Sequence, residues 1–268
     1  MSQEMEMIPE VVKPSVPWTF LDVVLFFGLW FVAQIFIGIV LVIAMVATGS
    51  SVRQQVQTVS DEYQHPIAQM IQDGESAPVI LLVAFLSIVV VAPLIEEFLF
   101  RLIFQNWLEA KFLQFRVPCA GGVAITIASF FFAMIHLGGG GHHIGAWPLF
   151  CMFVAFIIVN LLLFVFGIVY LVVVRNVKIL DYLMGTERFF RPGFFKTTMY
   201  CLLVVLFCQG LGTVLGYMNT GINVTPIPIF FFSLALGALY GQTKNLLYCI
   251  LLHACLNAVA LVLILLSV

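Results

Sequence analysis

The stretch PLIEEFLFRLIF, residues 93 to 104, sets Glu96, Glu97 and Arg101 in a run that is otherwise almost continuously apolar. A charge deep in hydrocarbon costs from about 3 kcal/mol to more than 10, so ionisable groups at that depth point to function by default. Glu97 and Arg101 are four residues apart on one helix face, acid before base, the better order for an ion pair. Glu96 points about 100° away and is left as the free carboxylate. Two further stretches repeat the spacing: FFFAMIHL places Phe132 and His136 on one face, and LLHACLNAV places His253 and Asn257 on one face. Each feature alone has a bland reading, because intramembrane charges, histidines and asparagines often only hold helices together. Together they supply a carboxylate, two imidazoles and amide donors on three separate spans. Hydrolysis needs that set: a group to take a proton from water, and preorganised donors to hold the oxyanion that forms.

The elements that must position these groups are membrane helices. The chain is 63% hydrophobic and 9% charged, against about 25% charge in an ordinary soluble domain. An all-α polytopic membrane protein is therefore expected, with the lipid bilayer as its surroundings. The net charge of -2 argues against nucleic acid as a partner. Cys119, Cys151, Cys201, Cys208, Cys249 and Cys255 fall in or beside apolar runs without metal-ligand spacing, and read as small buried hydrophobes.

Spanning takes about 20 apolar residues. The segments 20–47, 77–109, 120–137, 149–174, 198–217, 227–241 and 245–267 give seven expected helices, the second long enough to need tilt or a break, which Pro93 would provide. With the N-terminus inside, Lys13, Lys111, Arg116, Arg175, Lys178, Arg188, Arg191, Lys196 and Lys244 lie on the inner side and Arg53 on the outer. This asymmetry predicts an inner N-terminus and an outer C-terminus. Residues 1–16, with Glu4, Glu6 and Glu10 against Lys13, do not read as a cleavable signal. The expected organisation is a cytoplasmic segment over 1–19 and one membrane domain over 20–268, in a multi-pass protein of the cytoplasmic membrane.

Glu96-Glu97-x-x-x-Arg101, then Phe132-x-x-x-His136, then His253-x-x-x-Asn257, resemble in order the three motifs of the CPBP family of intramembrane endopeptidases, which includes the type II CAAX prenyl proteases. The run PIPIFFFSLALGALYGQTKNLLYCILLHACLN before the last motif is similar too. The resemblance implies cleavage of a peptide bond in a membrane-associated peptide or protein. It also implies that Glu96 and His136 activate water, that Glu97 and Arg101 support the site, and that His253 and Asn257 form an oxyanion hole. The family was long described as metalloproteases, and Glu96, His136 and His253 could hold zinc. A metal-free general base, with no cofactor, is the preferred expectation; zinc is the alternative.

One departure stands out: almost ninety residues separate His136 from PIPIFFF, more than the family pattern usually has, so a helical insertion is expected at about 138–224. Within it, GGGGHHIG at 138–145 lacks the Lys-Ser/Thr of a phosphate loop and reads as a flexible loop, with His142 and His143 as a further pair able to ligate metal. Depth raises a tension, since at about 1.5 Å per residue His136 sits roughly 24 Å along its span and His253 only about 12 Å along its own. Two rival functions remain: a catalytically inactive scaffold or immunity factor, and a small-solute or proton carrier, which would be expected to show repeated halves.

Overall fold

A computed structural model describes residues 16–48, 78–136, 146–183 and 226–266, with isolated helical positions between 199 and 211. The segment 49–77, the stretch carrying His142 and His143, residues 184–198 and most of the expected span 198–217 lie outside the described residues. The helices are α1 (Phe20–Ala47), α2 (Pro78–Gln114), α3 (Ala120–Met134), α4 (Ala146–Val169, prolonged by a π-helical turn at Tyr170–Val174), α5 (Ile179–Leu183), α6 (Pro226–Thr243) and α7 (Leu246–Leu266). The described residues contain no strand. Among the described residues five helices, α1, α2, α4, α6 and α7, are long and apolar enough to cross a membrane; α3 is apolar but has 15 residues.

Pro93 does not break α2. It sits in the short α-helical stretch Ala92–Glu97, between two π-helical stretches, Leu86–Val91 and Phe98–Gln105. The Ala92 N–H reaches back to the Ser87 carbonyl, a wider turn than an α-helix makes. Such a turn gives the proline ring room beside the preceding carbonyls, so the helix continues through it.

Packing centres on the middle of α2, where Ile95, Phe98, Leu99, Leu102 and Ile103 are buried against Phe26 of α1, Phe132 of α3, Leu236 of α6 and Leu252 of α7. Edge-to-face ring pairs fix the helices around it, Phe26 to Phe98 at 5.8 Å and Phe100 to Phe132 at 5.1 Å. Side chains such as Leu21, Phe31 and Val32 on α1 and Leu251 and Leu266 on α7 face outward; helices apolar on all sides suit hydrocarbon rather than water.

A polar ladder sets the register between α2 and α6. Arg101 donates to Ser233 Oγ at 2.7 Å, Gln105 to the Gly237 carbonyl at 3.1 Å, Asn106 to Tyr240 Oη at 2.7 Å, and Lys244 pairs with Glu109 at 2.7 Å. The steps ascend together in both helices, so α2 and α6 run parallel. Gly237 also lets α3 approach: a Cβ there would lie 2.7 Å from Ile125 Cγ2. Lys244, at φ 46°, then turns the chain into α7.

A second charged contact closes the start of α1. Asp22 accepts from the Thr19 N–H, from the Tyr170 hydroxyl and, at 2.6 Å, from Arg175, which ties α1 to the end of α4.

Candidate active site

Glu97 and Arg101 are fully buried and form the ion pair expected from their spacing, Arg101 Nε to Glu97 Oε2 at 3.0 Å. Two contacts that helix periodicity does not reveal complete this cluster. His253 Nδ1 bonds Glu97 Oε1 at 2.9 Å, joining α7 to α2. Arg101 donates to Ser233 and lies 5.3 Å from the centre of the Phe132 ring.

Glu96 projects from another face and meets different neighbours. Its Oε2 is buried and has no hydrogen-bond partner in the protein. It faces His136 Nε2 and His253 Nε2, each at 3.8 Å, beyond direct hydrogen-bond reach but within reach of a bridging water.

The tautomers follow from the acceptors. His136 Nδ1 lies 2.7 Å from the Phe132 carbonyl, which can only accept, so Nδ1 carries the proton and Nε2 of the neutral ring is an acceptor. By the same reasoning His253 donates its Nδ1–H to the Glu97 carboxylate. Both imidazoles are held by Nδ1 and turn Nε2 toward Glu96. Aromatic rings fix them further: Phe132 lies 4.9 Å from the His136 ring and 5.7 Å from the His253 ring, and Phe232 lies 5.3 Å from His253.

Asn257 stands one turn beyond His253, and its Nδ2 donates to the Ile88 carbonyl at 2.8 Å, which uses one of the two amide protons. Asn257, His253, Glu96 and His136 all line a cavity of about 440 Å³ whose remaining wall is mostly apolar, including Ile37 and Phe153. The structure thus brings Glu96, Glu97, Arg101, His136 and His253 into one cluster and sets Asn257 on the same cavity.

The difference in depth between His136 and His253 is absorbed in part by where α7 starts. Lys244, just before it, is anchored to Glu109, five residues short of the end of α2 at Gln114, a rise of about 7.5 Å. The turn into α7 therefore stands above the end of α2, and His253 needs fewer residues to reach the level of Glu96.

Among the described residues no group of three or more His, Cys, Asp and Glu side chains is arranged to hold a metal ion. Sequence reasoning overlooked Ser233, and it overlooked Gln34 and Asn160, lone amides in the apolar runs of α1 and α4 that border the same region. A single amide inside an otherwise apolar span was the signal that could have found them.

A family model described as Type II CAAX prenyl endopeptidase Rce1-like matches residues 78–186 and 184–259, which takes in all three motifs and the stretch 138–224. No curated protein and no solved structure matches the chain. With well over half of its length matched, and with Glu96, His136, His253 and Asn257 lining one cavity, the chain belongs to the Rce1-like type II CAAX prenyl endopeptidase family.

Proposed function

We propose that the protein is an intramembrane endopeptidase that hydrolyses a peptide bond of a membrane-associated peptide or protein, using water activated by Glu96 and His136 without a metal. The observation that carries this reading is the partnerless Glu96 Oε2, facing two imidazole Nε2 atoms at 3.8 Å on the wall of an apolar cavity. A water between Glu96 and His136 meets two acceptors, gives one of them a proton and attacks the carbonyl carbon of the peptide. The carbonyl π electrons move to oxygen, and that oxyanion accepts hydrogen bonds from the second Asn257 Nδ2–H and from His253 Nε2. Collapse breaks the C–N bond, and the proton held by Glu96 or His136 passes to the leaving amine.

The role of His253 sets a charge condition. Its Nδ1–H is committed to Glu97, so Nε2 donates only when the ring is an imidazolium. Glu96, Glu97, Arg101 and His253 then sum to zero charge, the arrangement a low-dielectric site tolerates best. Glu97 and Arg101 act through His253 and are positioning residues.

Purified protein given a membrane-anchored reporter peptide in detergent is expected to release a cleaved product. A folded wild-type protein that cleaves no such peptide would instead support the inactive scaffold or immunity-factor reading. The proposed topology has seven spans, with the N-terminus cytoplasmic and the C-terminus outside. Single cysteines placed at Arg188 and Gln57 should label from opposite sides of the membrane; labelling from one side would refute it.

A further inference from the structure

A second cavity, of about 240 Å³, also opens onto Glu96 and His136. It contains neither of the groups assigned to the oxyanion, His253 and Asn257; Asn160 of α4 stands in its wall and not in that of the larger cavity, while Gln34 of α1, like Glu96 and His136, borders both. Three buried polar atoms without a hydrogen-bond partner in the protein belong to residues of this wall: Gln34 Nε2, Asn160 Oδ1 and Glu96 Oε2. Asn160 is fully buried; its Nδ2 donates one of its two protons to the Phe156 carbonyl at 2.8 Å, and Oδ1 stands as an unmet acceptor.

Amides on neighbouring membrane helices usually bond each other. Here α1 packs along α4, yet the Gln34 and Asn160 amides do not pair. Burying a donor and an acceptor unmet is costly, so a ligand that both donates and accepts is required. Water and a peptide group both qualify, and the two cavities discriminate between them. The larger has a long apolar wall and the oxyanion donors, which suits the peptide; once filled, it closes that route to water. The smaller adds the unmet Asn160 Oδ1 to the Gln34 Nε2 and Glu96 Oε2 of the wall that both cavities share, and has room for several waters, the conditions under which buried water is held.

We infer that the smaller cavity is a water reservoir, in which Gln34 and Asn160 hold water and pass it to Glu96 and His136 while peptide occupies the larger cavity. This rests on the hydrolytic reading above. Gln34 Nε2–H donates to a water oxygen, and water protons go to Asn160 Oδ1 and Glu96 Oε2. Both amides are positioning residues that act on the nucleophile and not on the peptide.

The test replaces each amide by an apolar side chain of similar size, Gln34→Met and Asn160→Leu, and reads kcat and KM separately. Each variant should lose about tenfold in kcat, the worth of one hydrogen bond, with KM unchanged, and Asn160→Ser, which restores an acceptor, should recover part of the loss. Unchanged kcat overturns the inference, as does a rise in KM at constant kcat, which would make these residues a peptide subsite. A wild-type structure at a resolution that shows waters gives a readout independent of activity and of how the variants fold. Waters bonded to Gln34 Nε2 and Asn160 Oδ1 are expected, and a dry or lipid-filled cavity overturns the reservoir. A hydrated cavity in a chain without any peptidase activity refutes the enzyme reading, and the delivery role with it.

Discussion

On the Glu97 face of α2 the carboxylate is met on both oxygens, by Arg101 at 3.0 Å and His253 at 2.9 Å, and Arg101 is met in turn by Ser233. Its remaining Nη1, without a hydrogen bond, belongs to a guanidinium that lies over the Phe132 ring, a contact that offsets part of the deficit. On the Glu96 face the neighbouring carboxylate keeps a buried oxygen with no hydrogen bond, and two cavities open beside it. Adjacent residues of one chemistry are thus divided between two tasks. The hydrogen-bonded, enclosed acid holds three helices together, and the one left without a hydrogen bond beside open space is available for chemistry. The Asp22 cluster repeats the first pattern, with Thr19, Tyr170 and Arg175 closing on one carboxylate.

The largest effect is expected at Arg101. Arg101→Ala breaks the buried Glu97–Arg101 pair and the bond to Ser233, leaving His253 to hold Glu97, and should destabilise the protein by about 3 to 5 kcal/mol, read as lost accumulation in the membrane and a lower unfolding temperature in detergent. Replacing Glu97 and Arg101 together by neutral residues should restore much of the protein level while leaving His253 unheld and activity low. A double variant that accumulates no better than the single one would show that the two side chains are not partners.

Asn257→Ala should be gentler on the fold and act on rate, lowering kcat by about 10²- to 10³-fold as one oxyanion donor is lost. Its structural bond to Ile88 sharpens the test, because a purely structural role would lower the unfolding temperature and leave the rate per folded molecule intact.

The smallest effect is expected from chelation. Prolonged treatment with a chelator should leave turnover unchanged, because the proposed base is a carboxylate supported by an imidazole. Activity lost to chelator and regained with zinc would make Glu96, His136 and His253 the ligands.

How far the sequence reached can be judged at particular residues. The Glu97–Arg101 pair was legible because it lies within one helix, where spacing alone decides who meets whom. The bond from His253 to Glu97, 156 residues away, was not, since contacts between helices depend on rotation and depth that no spacing encodes. The ends of α1 were read correctly at Phe20–Ala47 because polar residues flank an unbroken apolar run. The π-helical stretches around Pro93 were missed because a shift of hydrogen-bond register leaves an all-apolar pattern unchanged. Gln34 and Asn160 stood in plain view as lone amides, but only packing could show that they do not pair with each other. The count of seven spans depends on α3, which at 15 residues is shorter than a full span, and on residues 198–217, most of which lie outside the described structure.

The central claim, that Glu96 carries the chemistry and Glu97 the fold, is tested most directly by Glu96→Gln in a peptide-hydrolysis assay on folded, membrane-inserted protein. Glutamine keeps the size and removes the base, and a helix relieved of a charge that Arg101 does not neutralise should insert no less well. Wild-type accumulation, an unchanged unfolding temperature and no detectable hydrolysis are expected. Near-wild-type turnover by Glu96→Gln, with Asn257→Ala inactive, would contradict it and make the partnerless glutamate a structural residue.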